Sequence, residues 1–391
     1  MPRAGAAAQT SDGVRSTLQG LSYVSRLRPS VGFLVFVTTF LITYRYSMSL
    51  SARAGAPFWL PDSVLLCALL LSRRSAWFLY LGVSLPLRLV VAIPTGTPLW
   101  FLLTAFANDS FKAVLAATLL RRFSRGRSIR FDSLQEFWLY LLAAVVMAPA
   151  ASALFGAASW VLRGREFWTA WRSWYFGDAL ANILFTPLLL CIARDWRKLV
   201  NATFSAYLQV FALFLGLFCA VQFGLQFGLN DPSTPDFYDY LPVPLLLLAA
   251  VRFGPLGASA ALTMMSMISI AAMASNRLPS MSADTSLLSM QLFLMVIGVP
   301  IMSLSVLIEQ QRRTENSLRE SETPFRKMVD TAPTMIWISA SDGRASLFNR
   351  GWLDFTGRSL EQEIGFGGAA GRCATGQGFY SQAVSGTRFD R

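Results

Sequence analysis

Seven polar or ionisable residues stand inside otherwise apolar stretches of this chain: Asp62, Arg88, Asn108, Asp109, Lys112, Asp178 and Asn182. A charge at the centre of a bilayer costs roughly 2.5–3.5 kcal/mol even by the milder scales, so such residues pair with one another or line a ligand or ion path. Asp109 and Lys112 are three apart, which puts them on one face of a helix where they can neutralise each other. Asp178 admits two readings. It is a carboxylate in a polar pocket between helices that binds a ligand or an ion, or it is half of an interhelical pair that fixes packing. These seven are the ligand-binding candidates.

Other chemistry is excluded by residue type. The sequence holds no histidine. It therefore has no imidazole general base, no Ser-His-Asp or Cys-His arrangement, no HExxH metal site and no phospho-accepting histidine. Neither a GxGxxG segment nor a P-loop with its lysine occurs. The four cysteines, Cys67, Cys191, Cys219 and Cys373, show no CxxC spacing and read as small apolar residues. We expect no catalytic residue, no metal and no cofactor.

The elements that carry the seven residues are set by hydropathy. The chain is 54% hydrophobic and 14% charged, about half the charged fraction of a soluble domain. Lipid is therefore the main solvent. The net charge of +12 comes from short clusters between apolar runs, a topology signal, so nucleic acid is not an expected partner. Spans are expected near 31–50, 57–72, 76–94, 98–120, 137–162, 172–193, 204–228, 238–251, 256–274 and 288–308. That is about ten by a window of roughly 20 residues, and because the second and eighth are short a total of eight or nine is the alternative. The expected fold is an all-α polytopic bundle.

Loop charges orient it. Arg15, Arg26 and Arg28 precede the first span, Arg73 and Arg74 follow the second, and Arg121 to Arg130 hold five arginines after the fourth. Arg194, Arg197 and Lys198 follow the sixth, Arg252 the eighth, and Arg312 and Arg313 the last. The intervening loops are poorer in positive charge, except 163–172 with Arg163, Arg165 and Arg172. Both termini are then cytoplasmic, in a bacterial inner membrane. SARAGA resembles a signal-peptide cleavage site, but the leader before the apolar core is too long for an n-region. Trp160, Trp168, Trp171 and Trp174 mark an interface belt.

Two stretches, WYFGDALANILFTPLLL (174–190) and LPVPLLLLAAVRFGPLGASAALTMMSMIS (241–269), are more specific than hydropathy. They resemble the membrane-associated sensor domain of the first class, the MASE family, over roughly 31–308. FWLPDSVLLCALLLSRRSAWFLYLG (58–82) and FANDSFKAVLAATLLRRF (106–123) are similar to two further family segments. Asp62–Ser63 and Phe111–Lys112 depart from the pattern. Farther on, APTMIWIS, an Asp342–Gly343 turn and FNRGWLDFTG resemble the start of a PAS domain. Trp337, Phe348, Trp352 and Phe355 would be its core or pocket. Asn349 is placed to cap a helix there.

The expected organisation is a tail over 1–30, the membrane sensor domain over 31–308, a signalling helix over 309–324 and an incomplete α+β PAS domain over 325–391. Leu304, Ile308, Gln311, Glu315, Leu318, Glu322 and Phe325 form a weak heptad seam, which suggests a homodimer through that helix. Pro324 is expected to end or kink it. The resemblance implies a sensing input module, as in receptors with a histidine kinase or diguanylate cyclase, for a small-molecule or ion signal. The chain stops before the last PAS strands, so a truncated receptor without its own catalytic output is expected. An ion-coupled transporter is the alternative.

Overall fold

The computed structural model describes residues 29–54, 58–124, 129–228, 240–274, 283–339 and 345–363. The expected Asp342–Gly343 turn and the end of the expected PAS domain, 364–391, lie outside them. The chain divides into two compact units, Met1–Gln310 and Gln311–Arg391.

The first unit is all helix. Its elements are α1 (Pro29–Ala54), α2 (Leu60–Leu71), α3 (Trp77–Ala92) and α4 (Leu99–Phe123). Then come α5 (Leu134–Tyr140) and α6 (Ala148–Val161), joined by a π-helical stretch, Leu141–Met147. They are followed by α7 (Phe167–Val200), α8 (Phe204–Gly228), α9 (Val243–Ala274) and α10 (Ala283–Thr331), the last continuing into the second unit. Among the described residues, eight helices are long and apolar enough to cross a membrane, by length and composition. The expectation was about ten. The two that drop out are the two short ones, and each for a physical reason.

The first is α2. Its 12 residues rise about 18 Å, too little for a hydrocarbon core of about 30 Å. It is instead held by protein at both ends. At its start, Leu60 N donates to Ser47 Oγ at 3.2 Å, and Pro61 occupies the first turn, where a missing N–H is harmless. At its end, the Arg121 guanidinium of α4 donates to the carbonyls of Leu69 at 2.7 Å, Leu70 at 3.3 Å, and Ser72. The Trp77 indole adds a bond to Leu69 O at 2.9 Å. A cation on the last carbonyls also suits the helix dipole. Nine of the 12 residues are buried, so almost no face of α2 meets lipid.

The other is the first third of α9. Its backbone leaves helical geometry at Gly254, with φ 62° and ψ −153°, next to Pro255. Arg252 donates to Gln209 of α8 at 2.9 Å, and Leu245 packs beside Gly216, farther along α8. Val243–Phe253 therefore runs antiparallel to α8. Beyond the break, Gly254 lies near the Glu309 carboxylate and Thr263 reaches back to Leu184 O at 3.2 Å. The chain therefore reverses at Gly254. A left-handed φ is one that glycine adopts without a Cβ penalty.

In the second unit, β1 (Trp337–Ser339) and β2 (Ala345–Phe348) pair antiparallel, with Trp337 opposite Phe348. Helices α11 (Arg350–Thr356) and α12 (Leu360–Glu363) follow. Asn349 caps α11 as expected, accepting from Trp352 N at 3.0 Å. It also accepts from Ile336 N at 2.9 Å and donates to Val329 O and Thr334 O at 3.0 and 2.8 Å. Of the four expected core aromatics, Phe348 and Trp352 are buried, with ring centroids 5.4 Å apart. Trp337 and Phe355 are not, being 39% and 76% exposed. A two-stranded hairpin is too narrow to cover both ends of a helix and its own edge. Pro324 does not end the helix either, since α10 continues to Thr331. Pro324 is exposed, so water can meet the carbonyl that its missing N–H leaves free.

Two outcomes follow. Arg121→Leu orphans the carbonyls at the end of α2 and should lower stability by about 2–3 kcal/mol, read as an earlier thermal unfolding in detergent. Asn349→Ala should cost about 2 kcal/mol locally. Hydrogen exchange would then speed up across Arg350–Thr356 and stay unchanged in α4 and α7.

Candidate functional site

Five of the seven candidates come together in one buried cluster. Asp62 is contributed by the first turn of α2, Arg88 by α3, Asp109 and Lys112 by α4, and Asp178 by α7. Lys112 Nζ contacts the carboxylates of Asp62 and Asp178 and lies 3.4 Å from Asp109 Oδ1. Arg88 Nη1 is 2.6 Å from Asp109 Oδ2, and its Nη2 is 3.6 Å from Asp62 Oδ1. None of the five side chains is more than 3% exposed. The Asp109–Lys112 pair expected from spacing is present, but as one edge of a larger network. Lys112 is its hub.

The walls of the cluster are aromatic. Arg88 Cζ lies 5.7 Å from the Phe40 ring centroid, 5.5 Å from Tyr44 and 6.0 Å from Phe106. Such contacts favour a desolvated guanidinium. Trp59, just ahead of α2, donates its indole N–H to Asp109 Oδ2 at 3.3 Å. With every group ionised, three carboxylates face two cations. One negative charge is left over in a region without water as solvent. A proton, a cation or a rearrangement must answer it.

The two asparagines stand apart from this cluster. Asn182, one turn beyond Asp178 on α7, belongs to a neutral network. It donates to Ala144 O at 2.8 Å and accepts from Ser63 Oγ and Thr186 Oγ1, each at 3.3 Å. Ala144 lies in the π-helical stretch, where the widened turn releases backbone carbonyls to partners outside the helix. The Tyr140 hydroxyl donates to Asn182 O. Asn108 is buried at 6% exposure, and neither end of its amide finds a hydrogen-bond partner.

Sequence reasoning missed Trp59, Tyr44, Ser63, Tyr140 and Thr186. Trp59 could have been found, because it precedes Asp62 by one turn of chain in FWLPDS. The others are ordinary apolar or hydroxyl residues, and only their positions across helices give them a role. Pro187 stands inside α7. It removes a donor from the middle of α7, and in the same turn Leu184 O accepts from Thr263, and Thr186 O from Cys67 Sγ at 3.5 Å.

A family model described as MASE1 matches residues 30–312. Among curated proteins the chain is similar to the uncharacterized protein y4lL of Sinorhizobium fredii (strain NBRC 101917 / NGR234), at 40% identity over 60 residues. That stretch is 15% of this chain and spans only 7% of the relative's length. No solved structure matches.

The charge count sets the order of effects for substitutions. Lys112→Met strands three carboxylates beside one arginine and should destabilise by about 3–5 kcal/mol. Asp62→Asn removes the excess charge and should be close to neutral. Adding Asp62→Asn to Lys112→Met should therefore recover part of the loss. Thermal unfolding in detergent of the two single variants and the double variant measures this, and strictly additive effects would contradict a shared network.

Proposed function

Because this chain belongs to the MASE1 family of membrane-associated sensor domains, we propose that it is the signal-sensing input module of a two-component or cyclic-di-GMP type receptor. It is a multi-pass membrane protein. Its signal is a small molecule or an ion, and its response is a conformational change carried to the cytoplasm along α10. Catalysis belongs to an output domain, not to the residues described here.

The observation that carries this reading is the buried hub at Lys112. It joins α2, α4 and α7 directly, and α3 through Arg88. Only a group whose interaction differs between two arrangements can shift an equilibrium between them. A lysine shared among three carboxylates, with one negative charge in excess, has several pairings of similar energy. A ligand or ion that engages one carboxylate changes which pairing is best. The helices that carry the partners then shift against one another.

Other features support the remaining parts. Arginine clusters after α2, α4 and α7 favour a cytoplasmic position for those ends; with the two short legs, α2 and the first third of α9, each counted as a crossing, both termini then face the cytoplasm of a bacterial inner membrane. The β1–β2 hairpin, the Asn349 cap and the Phe348–Trp352 contact fit the opening of a PAS domain. Leu318 is 61% exposed on α10, which suits a homodimer through that helix.

Fusing residues 1–330 to an intact histidine kinase core tests the reading. The chimera in proteoliposomes should phosphorylate in response to a membrane-side signal, and Asp178→Asn should lock its output at one level while the protein stays folded. A chimera silent to every condition, together with solute flux into the vesicles, would favour ion-coupled transport instead.

A further inference from the structure

The 163–172 loop is the connection whose charge runs most strongly against the expected orientation. It carries Arg163, Arg165 and Arg172. Its acid, Glu166, is committed to capping α7, accepting from Trp168 N at 3.0 Å and Thr169 N at 2.7 Å. Those bonds, with Thr169 first among their donors, hold its carboxyl below the usual range. None of the three arginines makes an ion pair among the described residues. Arg163 lies over the Phe101 ring at 4.8 Å and Arg165 over Trp160 at 5.2 Å, while Arg172 donates to Trp168 O at 3.3 Å and Thr169 Oγ1 at 3.4 Å.

Beneath the loop lies a group of hydrogen-bonding atoms without partners. The indole N–H groups of Trp160, Trp171 and Trp174 are buried and donate to nothing, and the Asn108 amide is buried and unpaired at both ends. Trp160 and Trp174 connect to the loop, and Asn108 and Trp174 to the level of the charge cluster. Arg165 covers Trp160, whose ring centroid is 6.5 Å from that of Trp174. The Trp174 ring lies flat against Gly156 of α6, where a Cβ would come within 2.5 Å of it. Asn108 is one turn from Lys112 on α4, and Trp174 one turn from Asp178 on α7. Since Lys112 and Asp178 are paired, Asn108 and Trp174 occupy the same level, one layer toward the loop.

Indole N–H groups can only donate, so the set calls for acceptors. A tryptophan belt serving the bilayer interface would present its N–H groups to headgroups and water. Here those atoms have no access to either. Guanidinium groups above and buried donors below together match an oxyanion.

We propose that the loop-side ends of α4, α6 and α7 form a binding site for a ligand bearing a phosphate or carboxylate group. The arginines Arg163, Arg165 and Arg172 attract the anion, and Trp160, Trp174 and Asn108 hydrogen-bond it one layer above the Lys112–Asp178 pair. The ligand is either a free solute or the headgroup of an anionic lipid. As the class of signal, this site rests on the sensing reading given above. Its binding is measured without any output, so a silent chimera and a failed binding experiment are separate results.

The experiment uses the full chain in nanodiscs of phosphatidylcholine. Inorganic phosphate is titrated at constant ionic strength, following thermal unfolding and tryptophan fluorescence. A parallel set of nanodiscs contains phosphatidylglycerol and no added phosphate. The expected result is a saturable rise in unfolding temperature in one arm. A response to phosphate identifies a solute site, and a response to phosphatidylglycerol alone identifies a lipid site. The triple variant Arg163→Gln, Arg165→Gln, Arg172→Gln should lose the response. Trp174→Phe keeps the ring and removes the N–H, and should weaken apparent affinity about tenfold. No response in either arm overturns the proposal. So does a response that survives the triple variant, or one that Trp174→Phe leaves unchanged, since the latter means surface attraction without a built site.

Discussion

The membrane unit is organised around one ammonium group. Lys112 Nζ is shared by Asp62, Asp109 and Asp178, in a medium where an unpaired charge is far more costly than in water. Each of these carboxylates has a position that makes sense only because the lysine is there. Asp62 opens a helix too short to span. Asp178 begins the buried stretch of α7. Asp109 lies between Lys112 and the guanidinium of Arg88, with Trp59 as a further donor. Remove the ammonium and the packing of α2, α4 and α7 has no electrostatic reason to persist.

Around that hub the fold uses backbone irregularity where it is covered by protein. The π-helical stretch turns Ala144 O toward Asn182, Leu184 O and Thr186 O on either side of Pro187 accept from Thr263 and Cys67, and Gly254 reverses α9. Regular helices bond their own carbonyls and have little to offer one another in lipid, where apolar contact alone gives no preference for protein over acyl chains. The irregular points are where helices exchange hydrogen bonds. The π-helical stretch lies one turn from the charged layer through Asn182, while Gly254 lies at the far turn beside Glu309.

Much of this was legible in the sequence, for a clear reason. Hydropathy identifies long spans directly, because every backbone polar group must be satisfied within the helix. It also flagged all five members of the cluster, since charges at that depth are rare. What it could not supply was the pairing across helices. From spacing alone Lys112 belonged to Asp109, three residues away. Its contacts with Asp62 and Asp178, 50 and 66 residues distant, follow from tertiary packing that no local pattern encodes. The same limit accounts for Tyr140, Ser63 and Thr186. In the second unit, Asn349 announced its cap by type and position. The exposure of Trp337 and Phe355 depended on how much surface one hairpin offers, which an apolar pattern does not tell.

The brevity of α2 has a consequence for how the protein is made. Ser63 and Cys67 meet partners 119 residues later in the chain, and the Asp178 carboxylate that completes the hub is equally late. When α2 leaves the ribosome none of these exists. A 12-residue segment headed by an aspartate is a poor candidate for stable insertion by itself, so it must wait at the membrane surface or in the insertion machinery until α7 arrives. Biogenesis of this bundle is then not a simple succession of helices in chain order. An early segment docks late, and a nascent chain that stops before α7 leaves α2 without the partners that hold it.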